Sequence, residues 1–319
     1  MALAAPTLPS PATAHPARRY APWELWHLLS LDAPTVATLW TIFFARAAGI
    51  ALPWIAPVAM ATGVWALYAL DRILDGKSAE AGSTHSFAQI GQLRERHIFH
   101  ARHQRLFILG VAVLLPIILL LCFHLVVPSV QRDMLLLSLA VAAYLAMVHL
   151  FGVAAQSRLP KEILVGGIFA CATVIPTWAR TRALHAPLLL GGVLFAMLCW
   201  LNCVAIESWE ANSTQSFQTS HSSTLWAGRH LAAICCGLAT ACIIVLALPI
   251  LPVAKPIAAA CALAAAALWL LERNRERLTP MALRVAADAA LLTPLLLLPW
   301  LLLSHPSFLL TQPTFPLAR

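Results

Sequence analysis

Residues 183–206 read ALHAPLLLGGVLFAMLCWLNCVAI, 24 residues without an Asp, Glu, Lys or Arg, and the next four, ESWE, bring Glu207 and Glu210. A helix needs about 20 apolar residues to cross a bilayer core, so this run is long enough to span one. The chain repeats the device at 47–70, an uncharged run that closes in Asp71-Arg72-Ile73-Leu74-Asp75. Further uncharged runs lie at 106–131, 134–157, 230–254 and 289–318, with shorter ones at 163–179 and 256–271. These give eight spans. A ninth is expected near 33–46, where Asp32 and Arg46 enclose thirteen uncharged residues.

Composition agrees with the pattern. The chain is 61% hydrophobic and 11% charged, with a mean hydropathy of +0.80. That combination excludes a soluble globular core. Backbone groups in lipid must be satisfied within the protein, and the runs lack the alternation of strands, so the expected fold is an all-α membrane protein of about nine transmembrane helices around a central cavity. Residues 1–22 carry Pro6, Pro9, Pro11 and Pro16 and read as a disordered cytoplasmic tail, not a signal peptide. Residues 23–305 form one polytopic domain and 306–319 a short C-terminal tail.

The net charge of +8 is distributed like a topological signal, not like a nucleic-acid surface. With nine spans and the amino terminus inside, fifteen of the 21 basic residues fall on the inner side and six on the outer. The positive-inside rule therefore places the N-terminus, and both acid pairs, at the cytoplasmic face of an inner (plasma) membrane. The eight cysteines lie in or beside apolar runs without zinc-site spacing and read as packing residues.

Four of the thirteen acids close the two apolar runs quoted above. Carboxylates at the edge of a bilayer are costly and are kept mainly for ions, protons or substrates. Spacings of four in Asp71/Asp75 and of three in Glu207/Glu210 put each pair on one helix face. Two such faces brought together make a set of hard oxygen ligands suited to Mg2+. Solvated helix ends are the plainer explanation for either pair taken alone.

On these residues the chain resembles the UbiA-type intramembrane prenyltransferases. Asp71-Arg72-Ile73-Leu74-Asp75-Gly76 is similar to the second half of their first aspartate-rich motif, and Glu207-Ser208-Trp209-Glu210 to their second acidic motif. Arg158-Leu159-Pro160-Lys161 is similar to the basic, proline-containing segment between their fourth and fifth helices. Leu67-Tyr68 stands where that family has Asn-Asp. The resemblance implies Mg2+-dependent transfer of an isoprenoid from its diphosphate to a lipophilic, aromatic or other, acceptor. Asp71, Asp75, Glu207 and Glu210 would then be metal ligands and catalytic groups, and Arg72, Arg158 and Lys161 diphosphate contacts. The alternative is a non-catalytic protein of the same fold, a lipid-binding or transport scaffold.

Two other segments stand out. In the stretch 94–103, His97, His100 and His103 recur every three residues beside Arg94, Arg96 and Arg102. A helix capping the cavity is expected there, with Arg94 or Arg96 reaching the diphosphate. Asp288 sits at the mouth of the last apolar run, where a helix-end role is expected, not a ligand role.

Overall fold

The structure is a computed structural model that describes residues 21–82, 99–100, 102–158, 161–181, 183–214, 221–249 and 251–304, and within them all side chains except those of 75–82, 147–158, 211–214, 300, 303 and 304. The expected terminal tails, apart from their innermost residues 21 and 22, and Arg94 and Arg96 lie outside the described residues. So do the side chains of Asp75 and Arg158, whose backbones lie in helices.

Every regular element among the described residues is helical. In chain order they are α1 (Pro22–Leu28), α2 (Asp32–Ala47), α3 (Ile55–Gly82), α4 (Gln104–Leu125), α5 (Pro128–Arg158), α6 (Lys161–Trp178), α7 (His185–Thr214), α8 (Ser222–Arg229), α9 (Leu231–Ala247), α10 (Ala254–Arg273), α11 (Pro280–Ala290) and α12 (Pro294–Ser304). Six segments are long and apolar enough to cross a membrane, or up to eight if the bent pairs α1–α2 and α8–α9 each count as one span. Of the nine expected spans, the one not among them is α3: its helix starts only at Ile55 and reaches Asp71 and Arg72 within 18 residues.

The long helices α2 and α7 form the centre. The helix α7 packs against α6, α8, α9, α10 and α11, while α2 packs against α3, α6, α10, α11 and α12. Trp40 and Phe195 stack at 4.0 Å between them, with Phe43 and Phe44 fully buried alongside. By contrast, α4 and α5 expose Leu109, Leu119, Leu120, Phe123, Leu135, Leu136 and Leu139, the surface that a lipid environment would cover.

The last apolar segment is broken. The helix α11 ends at Ala290 and α12 begins at Pro294, because proline has no N–H to continue the helical ladder but is well placed at a first turn. The freed groups find partners in the bundle: Trp40 Nε1 donates to the Leu291 carbonyl at 2.8 Å, and Thr293 Oγ1 donates to the Ala260 carbonyl at 2.9 Å. Non-helical backbone at membrane depth is tolerated only with such satisfaction.

Candidate functional site

Polar side chains from eight helices gather at the end of the bundle where α2 begins and α3 and α7 finish their apolar runs. Their contacts divide into three groups. The innermost is built on the bend between α1 and α2, which turns by 86°. Ser30 makes that turn with φ +58°, a left-handed conformation that costs a non-glycine residue roughly 1–2 kcal/mol. It is fully buried and its hydroxyl is engaged on both sides. Arg72 NH1 donates to Ser30 Oγ at 2.5 Å, and the same hydroxyl pairs with His100 Nε2 at 3.0 Å. Arg72 also donates to the His27 carbonyl at 3.1 Å, tying α3 to the end of α1.

Asp32 is the hub of this group. It opens α2, where the helix dipole favours a carboxylate, and its Oδ1 accepts from the Ala33 N–H at 2.9 Å. Its Oδ2 lies 2.6 Å from His27 Nδ1 and 3.7 Å from Arg72 NH2. Asp288 approaches from α11, and the nearest ligand atoms of His27, Asp32 and Asp288 all lie within 4.8 Å of one another. Asn202 Nδ2 donates to Asp288 Oδ1 at 3.1 Å. Asp288 lies in the last turn of α11, the helix-end place expected for it, and it turns inward because the break after Ala290 sets α11 against α7 and α2. The Arg72 guanidinium sits 5.9 Å from the Tyr68 ring centroid, within cation–π range. Tyr68 thus supplies an aromatic wall where the resembled family has an acid.

The second group starts at the first residues of α6. Lys161 Nζ lies 3.7 Å from Glu162 Oε1 and 3.9 Å from Glu207 Oε1. Glu162 Oε2 accepts from the Thr224 hydroxyl at 2.6 Å. Glu162 is only 3% exposed, and its Oε1 accepts no hydrogen bond among the described residues. Gly166 permits this assembly. A Cβ there would meet the Trp200 backbone N at 2.7 Å, so only glycine lets α6 press directly onto α7. Cys203 joins the first two groups, since Glu162, Asp288, Lys161 and Glu207 all act electrostatically on its thiol.

The third group holds the outer ends of α7, α10 and α11 together. Arg284 NH1 donates to Glu210 Oε1. Trp209 Nε1 donates to Glu272 Oε2 at 2.5 Å, and Arg275 closes on the same carboxylate at 2.9 Å.

Of the residues expected to form one site, the structure brings Lys161 and Glu207 together. It gives Glu210 to Arg284, and it turns Arg72 inward to 4% exposure, on the bend of α1 and α2. Asp71 is half-buried next to Arg72 at the same end of α3. His27, Asp32, Glu162, Asn202 and Thr224 were not singled out from the sequence as site residues. Asp32 and Glu162 did carry a signal, as charges beside otherwise uncharged runs, but each stands alone, and a search for close-spaced acid pairs passes over them. The shallow basin of about 240 Å³ lined by Arg102, His103, Gln104, Arg105 and Leu106 lies at the start of α4. No family model, curated protein or solved structure matches this chain.

Proposed function

We propose that this chain is an integral membrane protein of the prenyltransferase kind, which binds an isoprenoid diphosphate at its polar end and transfers the isoprenoid to a lipophilic acceptor with Mg2+. The observation that carries the reading is the meeting of Lys161 with Glu207 from separate helices, at the polar end of an apolar bundle. An amphiphile with a diphosphate head and a hydrocarbon tail matches that division. Counting α3 as a ninth span, the basic asymmetry puts this end in the cytoplasm, where such diphosphates are soluble enough to arrive.

The donors at Lys161 suit magnesium, because Glu207 and Glu162 Oε1, which accepts no hydrogen bond among the described residues, are hard oxygens, and this ion is usually held by one or two carboxylates plus substrate phosphates. Bound there, it would neutralise charge developing on the departing diphosphate. Lys161 would add a positive charge to the same oxygens, and the surrounding apolar helices would keep water from the allylic cation. Glu210, held by Arg284, would position the end of α7 and not bind metal.

A second reading, a carrier or lipid-binding scaffold without catalysis, is favoured by one observation: Arg72 pairs with Asp32, and Arg284 with Glu210, within the bundle. The test is magnesium-dependent binding of farnesyl diphosphate to the purified full chain. Wild type should bind, and Glu207→Gln and Lys161→Met should each weaken binding by at least tenfold, on the scale of losing one preorganised electrostatic group. Absence of binding by wild type with magnesium present would reject the transferase in favour of the scaffold.

A further inference from the structure

The innermost group holds more acids than permanently cationic side chains among the described residues. Asp32 and Asp288 bring two carboxylates, and Arg72 is the one permanently cationic side chain among the described residues recorded against them. His27 Nδ1 lies 2.6 Å from Asp32 Oδ2. Asp288 is also badly placed for a lone anion, in the last turn of α11, where the helix dipole presents its negative end. Each fact describes a place where another positive charge would be stabilised.

A separate observation concerns Asn202. It is only 6% exposed. Its amide nitrogen reaches Asp288, yet its Oδ1 is buried and accepts no hydrogen bond among the described residues. Buried polar atoms of this kind are rare and ask for a partner. This oxygen belongs to an amide already directed at the cluster.

We propose that His27, Asp32 and Asp288 form a binding site for a divalent first-row transition metal ion, with Asn202 Oδ1 as a fourth donor. The three ligand atoms lie within 4.8 Å of one another, and ligands on a tetrahedral ion stand about 3.3 Å apart when metal–ligand distances are near 2.0 Å. The His27–Asp32 contact would open by less than an ångström to admit it. One imidazole nitrogen with two carboxylates suits zinc, manganese or ferrous iron, whereas calcium demands six to eight oxygens. Arg72 is anchored to the His27 carbonyl and Ser30. It would remain beside the ion, balancing one carboxylate and lowering affinity without blocking entry. The ion would fasten α1 to α2, α7 and α11, and this site is separate from the Lys161–Glu207 group that carries the proposed function.

The test uses the full chain purified in detergent and stripped with a chelator. Titration with Mn2+, followed by loss of the free-ion electron paramagnetic resonance signal, should find one tight equivalent. Pulsed resonance on protein labelled with 15N-histidine should detect a directly bound nitrogen, a readout that needs no variant. His27→Gln should abolish that coupling, and His27→Gln and Asp288→Asn should each weaken binding at least tenfold. Glu207→Gln, which removes a ligand of the proposed diphosphate site, should leave the single tight Mn2+ equivalent and its histidine nitrogen coupling in place. No stoichiometric binding, no nitrogen coupling in wild type, or undiminished affinity in His27→Gln would overturn the proposal.

Discussion

At the scale of the residue, the polar end depends most on Arg72. It neutralises Asp32, caps the His27 carbonyl and holds Ser30 in a left-handed turn at once. Arg72→Met would leave a carboxylate that is 3% exposed without its guanidinium, and breaking a buried pair in this way costs roughly 3–5 kcal/mol. The unfolding midpoint in an SDS titration should fall accordingly, and unchanged stability would mean that Arg72 does not hold the bend. That role was not legible beforehand. The sequence places Arg72 inside an acidic motif, where a substrate contact is the natural expectation. Its actual partners, Asp32 and Ser30, are reached only because α3 folds back against α2. The inward turn of Asp288 was hidden for the same reason: nothing near it in sequence marks Asn202 or Asp32 as neighbours. Glu207 stood out because it closes an apolar run and Lys161 through the resemblance of Arg158-Leu159-Pro160-Lys161 to a family segment, and helix alternation brings the two to a common end.

At the scale of the element, apolar runs and helices correspond closely, and the mismatches follow from glycine and proline. The run beginning at residue 47 does not become helical until Ile55, since Gly49 takes φ +67° and Pro53 follows it. The last run breaks before Pro294. The helix α7 continues past its run to Thr214, which keeps Glu207 and Glu210 on a rigid scaffold. The contact of α6 with α7 gives a paired test. Gly166→Ala would drive a methyl group into the Trp200 backbone and should destabilise the protein by about 1–3 kcal/mol, as overpacking does. It should also part Lys161 from Glu207. Gly167→Ala meets nothing within 4 Å and should be neutral or stabilising by up to about 1 kcal/mol from helix propensity. Equal effects at the two positions in an unfolding titration would remove close packing as the reason for glycine.

At the scale of the whole molecule, the membrane reading and the site depend on the same alternation of helices. Contacts between Glu210 and Arg284, Trp209 and Glu272, and Thr224 and Glu162 fix the ends of α7, α10, α11, α8 and α6 at one pole. The turn between α4 and α5 falls at the other pole, since Gln131 of α5 donates back to the last carbonyls of α4. A membrane-impermeant thiol reagent distinguishes the two poles. The native cysteines mostly lie within helices that pack or face lipid, so single replacements at exposed polar positions report topology cleanly. Ser222→Cys and Glu276→Cys should be labelled from one face, and Arg132→Cys from the opposite face. The proposed basic asymmetry makes the first face cytoplasmic. If Ser222→Cys and Glu276→Cys were labelled from opposite faces, the second and third polar groups would not share a pole, and the diphosphate would lose the polar end proposed to hold it.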